Sequence, residues 1–190
     1  MYILLAVSII YFLYYLINLS QNKVNKVFHN LSFPQDQDYI LVILNTHIQN
    51  DSYFLDLIKN AKYIICADGG ANRLYDFSPK NKIMPDCIIG DMDSIRENVT
   101  QFYSKRGVLI NKSEDQNTTD LEKCLIFIQD FSKINKINKI NKINKIIAYG
   151  AFGDRFDHEM SSINTLYKYH PILENRLDYF YQSKNQIFRY

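Results

Sequence analysis

The chain has 190 residues, 47% of them hydrophobic, which is enough for one domain with its own core and excludes an intrinsically disordered protein. Of the 22 basic residues, five lie in the segment 133–145, which leaves 17 against 20 acidic residues in the rest of the chain. Because this balance indicates no basic surface, nucleic acid is not expected as a partner. Three cysteines lie in apolar runs without CxxC spacing and are predicted to be buried and reduced: Cys66, Cys87 and Cys124.

Residues 1–20 form an apolar leader, and residues 21–38 form a polar linker. From Ile3 to Leu19 there is no charged residue, and a helix over this run would be about 25 Å long, slightly less than a hydrocarbon core of about 30 Å. A signal anchor fits better than a cleaved signal peptide, because a basic start and a small-residue cleavage site are missing. Lys23 and Lys26 follow the run, which favours a membrane tether (3–19) with the rest of the chain in the cytoplasm. A buried first helix is the alternative interpretation.

Strand-like and helix-like patterns alternate from residue 39 onward. Six apolar, β-rich runs predict strands: 39–45, 63–68, 87–91, 107–112, 145–150 and 177–182. Four of these runs end in Asn, Asp or Gly. The segments between them predict helices at 52–60, 72–77, 95–105, 119–131 and 156–169. This alternation predicts one α/β domain over 39–190, with a doubly wound, mostly parallel, Rossmann-like sheet and helices on both faces.

The segment 133–145 is of low complexity and repeats the triplet Ile-Asn-Lys. A period of three matches neither the alternation of a strand nor the 3.6-residue turn of a helix, so no face of the repeat would stay buried. We interpret the repeat as a surface insert, either a loop or a frayed helical extension, which a fold tolerates at little cost. After the last predicted strand, the residues SKNQ (183–186) predict the turn of a hairpin.

Acidic and glycine-rich segments follow the predicted strands, at the edge where parallel α/β sheets bind ligands. The second strand ends in DGGAN, which contains four candidate residues: Asp68, Gly69, Gly70 and Asn72. The third strand leads into GDMDSI, in which the carboxylates of Asp91 and Asp93 have a spacing suited to a hard cation. Each motif alone is weak evidence, because a glycine pair after a strand is commonly a tight turn and DxD occurs widely by chance.

Two further motifs follow the fourth and fifth predicted strands. DQNTTDLEKCL supplies Gln116 and Thr119, with Thr118 or Thr119 as a helix cap, and Asp120 in the first helical turn, although Thr and Asp also suit an ordinary capped helix. GDRFDHEM places Arg155, a guanidinium for phosphate, near Asp157, although the two could equally form a surface ion pair. Together the four motifs predict a pocket for a magnesium–nucleotide complex. Because the sequence has no Walker A or GxGxxG loop, the metal, Arg155 and backbone amides would hold the phosphates.

The motifs DGGAN, PDCIIGDMDSI, DQNTTDLEKCL and GDRFDHEMSSINTLY, in this order and spacing, resemble the catalytic domain of thiamin pyrophosphokinase over about 39–190. The resemblance implies transfer of a diphosphoryl group from ATP to the hydroxyl of thiamin, which yields thiamin diphosphate and AMP. It implies that Mg²⁺ is bound by four carboxylates: Asp91, Asp93, Asp120 and Asp157. It implies that these residues contact the nucleotide or shape its pocket: Asp68, Gly69, Gly70, Asn72, Gln116, Thr119, Asp120 and Arg155. The implied catalytic set, without a general base, is Asp91, Asp93, Asp120, Arg155 and Asp157.

The sequence departs from the family pattern at both ends. The family usually has a C-terminal β-sandwich domain that helps to form a dimer and the thiamin site, and this sequence ends where that domain would begin. A homodimer is therefore expected only if the domain is present. The apolar leader and the repeat are additions that the resemblance does not explain. Two alternatives stay open: a membrane-anchored DxD glycosyltransferase that uses a nucleotide sugar, and a truncated nucleotide-binding remnant without turnover.

Overall fold

The computed structural model describes residues 39–48, 52–77, 83–134, 143, 145–152, 155–169, 172–173 and 177–181. The predictions for the leader, the linker, most of the repeat and the C-terminal hairpin lie outside these residues. No helix in the part of the chain that the structure describes is both long and apolar enough to cross a membrane.

In the part of the chain that the structure describes, six parallel strands form one sheet, which confirms the predicted fold class. The strands are β1 (Tyr39–Ile43), β2 (Tyr63–Ala67), β3 (Cys87–Gly90), β4 (Leu109–Lys112), β5 (Lys145–Phe152) and β6 (Leu177–Tyr181). Their order is β4-β3-β2-β1-β5-β6, so the chain moves outward from β1 to β4 and then places β5 on the other side of β1. The junction between β1 and β5 is therefore a topological switch point, where α/β sheets bind ligands outside the carboxyl ends of the strands.

Five helices within the described ranges cover the two faces of this sheet: α1 (Ser52–Asn60), α2 (Gly70–Phe77), α3 (Glu97–Ser104), α4 (Asp120–Ile134) and α5 (Phe156–Tyr169). Buried residues of α1, α2 and α3 form one core, and buried residues of α4 and α5 form the other. In β1, Leu41 and Ile43 belong to the first core, while Ile40 and Val42 belong to the second. Because both faces are covered, the central strands are apolar at every position, as is usual in parallel sheets.

Several elements end at other residues than predicted. β1 stops at Ile43 instead of residue 45, because the N–H of Thr46 donates to the carbonyl of Leu44 at 2.8 Å and turns the chain. β5 continues to Phe152, past the predicted end at Gly150. α4 continues to Ile134, so the first two residues of the repeat segment are helical.

The three cysteines lie in the core, as predicted. All are buried, and none is in a disulfide. Burial raises the pKa of each thiol. None of them therefore presents the thiolate that a catalytic or redox cysteine requires.

Candidate active site

A cavity of about 470 Å³ lies at the switch point between β1 and β5. Its walls come from the segments after β1, β3, β4 and β5, and from the first turns of α4 and α5. This is the edge of the sheet at which the sequence places its acidic motifs. Six of the predicted site residues line the cavity: Asp91, Asp93, Gln116, Thr119, Asp120 and Arg155.

Three aspartates from different elements converge beside this cavity. Asp68, Asp91 and Asp120 each offer a carboxylate oxygen, and these oxygens lie within 4.8 Å of one another. Asp68 follows β2, Asp91 follows β3, and Asp120 begins α4. They meet because parallel strands end at one edge of a sheet and the next helix starts from that edge. Three negative charges this close require compensation by a cation.

Asp68 is the fully buried member of this group. Its carboxylate accepts the backbone N–H groups of Ser94, at 3.0 Å, and Ile95, at 3.1 Å, and so holds the loop that follows β3. Burial raises the pKa of the Asp68 carboxyl to about 6; the hydrogen bond from Ser94 opposes this rise, and the nearby Asp120 carboxylate adds to it. The sequence predicts that Asp68 shapes the pocket. The structure shows in addition that its carboxylate is one of the three that converge beside the cavity.

Lys123, which is not among the predicted site residues, lies between two of these carboxylates. Its ammonium is 3.1 Å from Oδ2 of Asp91 and 3.3 Å from Oδ1 of Asp120, and its side chain is only 4% exposed. Burial opposes the charge of Lys123, but the hydrogen bonds to Asp91 and Asp120 and the negative charges of both carboxylates together outweigh it, and the pKa of the ammonium is raised. The same hydrogen bond lowers the pKa of Asp91, whereas burial raises the pKa of Asp120. The sequence does contain a signal for the pair of Asp120 and Lys123: the two residues are three apart on a helix, and residues with this spacing are neighbours on the helix surface.

Asp93 lies at the exposed rim of the cavity. Its carboxylate accepts a hydrogen bond from the hydroxyl of Ser94 at 2.8 Å, and it is not one of the three grouped carboxylates. Between Asp91 and Asp93, Met92 has a φ of +69°, which is in the left-handed region. The extended geometry of β3 therefore ends before Asp93, and the DxD spacing does not by itself pair the two side chains.

The N-terminus of α4 borders the cavity and carries a capping box. The N–H of Glu122 donates to Oγ1 of Thr119 at 3.2 Å, and the N–H of Thr119 donates to a carboxylate oxygen of Glu122 at 3.1 Å. Thr119 thus has the ordinary cap role that its sequence position also allows, and it lines the cavity together with Gln116. Free N–H groups at a helix N-terminus attract anions, so this end of α4 suits a phosphate group.

Replacing Thr119 with alanine removes the side-chain acceptor of the capping box. We expect Thr119→Ala to lower the free energy of unfolding by about 1 kcal/mol, which is the usual cost of a lost cap. Thr119→Ser keeps the hydroxyl and is expected to stay close to the wild-type value. Urea unfolding monitored by circular dichroism measures both variants, and equal stabilities would contradict the cap role.

Arg155 and Asp157 form an exposed ion pair at the start of α5. Nε of Arg155 is 3.0 Å from Oδ1 of Asp157, and the side chains are 63% and 62% exposed. Arg155 lines the cavity, whereas Asp157 does not and is not one of the grouped carboxylates. The structure thus shows the surface pair that the sequence left open, and the role of Asp157 as a metal ligand stays a prediction. The pair forms because Asp157 follows Arg155 into the first turn of α5.

One face of α5 contributes cavity residues that the motifs do not single out. These are His158, Ser161, Ser162 and Thr165, whose spacing of three and four residues places them on one side of a helix. Their hydroxyl and imidazole groups can donate or accept hydrogen bonds. The cavity thus has hydrogen-bonding side chains on its α5 wall in addition to the carboxylates beside α4.

The two glycines of DGGAN pack against β1 and do not line the cavity. A Cβ at Gly70 would lie 2.1 Å from the carbonyl oxygen of Ile43, and a Cβ at Gly69 would lie 2.4 Å from Nδ2 of Asn45. The contact at Gly70 is with backbone and could be relieved only by a movement of the chain, whereas the contact at Gly69 is with the end of the Asn45 side chain. The glycines therefore allow the turn after β2 to approach the end of β1, which differs from the predicted approach to a ligand.

Asn72 supports the loop after β3, although it was a candidate for nucleotide contact. Its side-chain amide donates to the carbonyl of Ser94 at 2.9 Å and accepts the N–H of Arg96 at 3.0 Å. Both ends of the amide are used by this loop, and Asn72 is not among the cavity-lining residues. Its contribution to the site is therefore indirect, through the position of the loop.

The fold and the cavity together define a class of protein, namely a doubly wound α/β domain with an acidic ligand site at its topological switch point. The chain belongs to the thiamin pyrophosphokinase family, because residues 54–181 match the family model described as "Thiamin pyrophosphokinase, catalytic domain". This match confirms the resemblance carried by the four motifs.

Relatives with curated names and solved structures agree with this assignment. Thiamine pyrophosphokinase 1 of Arabidopsis thaliana is 42% identical, over 78% of this chain and 60% of the relative. Thiamine pyrophosphokinase of Saccharomyces cerevisiae is 39% identical, over 60% of this chain and 37% of the relative. The solved thiamin pyrophosphokinase from Candida albicans is 30% identical with a TM-score of 0.65, and the match covers 77% of this chain and 58% of that one. The chain thus spans about 60% of the length of the Arabidopsis relative.

Proposed function

We propose that this chain catalyses the transfer of a diphosphoryl group from ATP to the primary hydroxyl of thiamin, with thiamin diphosphate and AMP as products. Membership of the family supports this reaction. The observation that carries the proposal is the convergence of Asp68, Asp91 and Asp120 beside the N-terminus of α4, in a cavity large enough for a ligand. Transfer at phosphorus depends mainly on alignment and charge neutralisation, and these carboxylates would contribute to both by holding a cation beside the phosphates.

The donor set fits Mg²⁺, which the family reaction implies. The converging groups are all carboxylate oxygens, the ligand type that Mg²⁺ prefers, and the ammonium of Lys123 contacts those of Asp91 and Asp120. We propose that Asp91 and Asp120 hold the cation, that Asp93 at the rim completes the predicted acidic set, and that Asp68 supports it from below. The cation would neutralise the charge of the phosphate oxygens. Asp157 would act only through its ion pair with Arg155.

The phosphates of ATP would bind between two groups of donors. Arg155 lines the cavity on the α5 side, and the N-terminus of α4 borders it near Gln116 and Thr119. A guanidinium and helix N–H groups are both suited to phosphate oxygens. We assign no residue of the chain as general base, because a loose transition state at phosphorus needs little proton removal.

The thiamin site and the oligomeric state depend on more of the protein than the structure describes. We propose a homodimer if the C-terminal domain expected from the family is present. For residues 3–19 we propose a membrane tether with the catalytic domain on the cytoplasmic side, as predicted from Lys23 and Lys26.

An assay of products tests the proposed reaction. The purified chain is incubated with ATP, thiamin and MgCl₂, and nucleotides and thiamin phosphates are separated by chromatography. We expect equal amounts of AMP and thiamin diphosphate, with neither product formed when thiamin or Mg²⁺ is omitted. ADP as the product would overturn diphosphoryl transfer. ATP binding without turnover would favour the remnant, and release of UDP from a UDP-sugar would favour the glycosyltransferase.

A further inference from the structure

The ammonium of Lys123 lies against the two carboxylates that are proposed to hold the cation. It contacts both Asp91 and Asp120, and its side chain is almost completely buried. Asp91 comes from the end of β3 and Asp120 from the start of α4, so Lys123 also joins these two elements. The side chains of Asp91 and Asp120 are 17% and 35% exposed, so water reaches the carboxylates more easily than it reaches the ammonium.

The charges of the group make this arrangement more than a structural ion pair. Without Lys123, three neighbouring carboxylates would face one another in a partly buried site, which is unfavourable. With Lys123 in place, one positive charge is already present when a divalent cation arrives. Two like charges a few ångströms apart repel strongly at the effective dielectric of a protein, so the resident ammonium must weaken the binding of the cation.

We propose that Lys123 is a positioning residue that acts as a resident counter-ion: it holds Asp91 and Asp120 in place before the cation binds, and it lowers the affinity of the site for the free cation. Lys123 thereby favours the arrival of the cation together with the nucleotide, whose phosphates neutralise the ammonium as well. This inference rests on the cation site of the proposed function and extends it to a residue that the motifs leave out.

Thermal unfolding of the purified chain at increasing MgCl₂, repeated with MnCl₂, measures both parts of the role. In the absence of a divalent cation, we expect Lys123→Met to lower Tm by about 10 °C, because the buried carboxylates have lost the ammonium that pairs with them. We expect Mg²⁺ to raise the Tm of this variant more than that of the wild type, and to reach half of its effect at about a tenfold lower concentration. These readouts do not depend on turnover.

Lys168→Met is the matched control. Lys168 also pairs with a carboxylate of α4, since its Nζ is 2.9 Å from Oε1 of Glu122, but it lies outside the cavity. We expect the Mg²⁺ concentration at half effect to equal that of the wild type. A shift as large as in Lys123→Met would mean a general effect of charge and would overturn the inference.

The double variant Asp91→Asn/Lys123→Met keeps the net charge of the group and provides a test even if the single variant does not fold. We expect it to recover most of the Tm lost in Lys123→Met, as expected for groups that interact directly. No recovery would overturn the counter-ion role, and so would an unchanged Mg²⁺ response in a folded Lys123→Met. If Tm responds to neither Mg²⁺ nor Mn²⁺ in both the wild type and a folded Lys123→Met, the proposed cation site itself is overturned, which is a distinguishable result.

Discussion

Asp91→Asn is expected to reduce AMP release from ATP by at least about a hundredfold, since removal of one preorganised charge from a reacting centre typically costs that much. Asparagine has the same shape and can still accept the hydrogen bond from Lys123, but it removes a negative charge from the proposed cation site. The hydrogen bond from Lys123 lowers the pKa of the Asp91 carboxyl from its ordinary value, which favours the charged form that Asp91→Asn removes. Chromatographic measurement of AMP at saturating ATP, thiamin and Mg²⁺ gives kcat for comparison with the wild type.

Asp76→Asn provides the control for this loss. Asp76 is an exposed residue of α2 that pairs with Arg96 at 2.6 Å and does not line the cavity. It loses the same charge as Asp91→Asn, and we expect its AMP release to be unchanged. AMP release by Asp91→Asn within tenfold of the wild type, in a chain with normal circular dichroism, would remove Asp91 from the cation site.

Gly70→Ala is expected to have the largest effect on stability, with a loss of about 3 kcal/mol or more in the free energy of unfolding. The added Cβ would lie 2.1 Å from the carbonyl oxygen of Ile43, which belongs to the backbone of the central strand. A side-chain rotation cannot relieve this contact, so β1 and the turn after β2 must move apart. Because Asp68 lies in this turn, Mg²⁺-dependent activity should fall together with stability. Urea unfolding and the AMP assay measure the two effects.

Gly107→Ala separates steric crowding from the general cost of replacing a glycine. Gly107 has a φ of +80°, but no atom lies within 4 Å of a Cβ built there. We expect it to lose only about 1 kcal/mol, which is the cost of a left-handed conformation without a clash. Comparable losses in the two variants would show that the approach of Gly70 to β1 is not the determining contact.

Most of the fold could be predicted because it depends on local patterns. The runs at 63–68 and 87–91 are short, apolar and bounded by polar residues, and such runs become strands buried on both faces. The ends of elements were less predictable, as in α4, which continues to Ile134 through residues that the repeat pattern assigns to a surface insert. Helix ends depend on the last few hydrogen bonds, which sequence periodicity does not determine.

The candidate site was predicted by position more accurately than by role. Asp91 and Asp120 lie where the strand ends place them, because both follow directly from the edge of the sheet. Asp157 has a carboxylate of the same type after a strand, yet it pairs with Arg155 in the solvent. Lys123 has no motif of its own and becomes important only because α4 turns it toward Asp91.

By itself the sequence determined how strands and helices alternate along the chain, the burial of both faces of the sheet and the edge at which the acidic segments gather. Each of these follows from the periodicity of nearby residues. The tertiary structure alone decided that Asp68 joins Asp91 and Asp120 and that Lys123 compensates their charge. It also decided that Asp157 pairs with Arg155. Such choices depend on distances of a few ångströms between side chains that are far apart along the chain. Those distances are set by strand order and by single turns, such as the left-handed residue Met92, which local patterns do not encode.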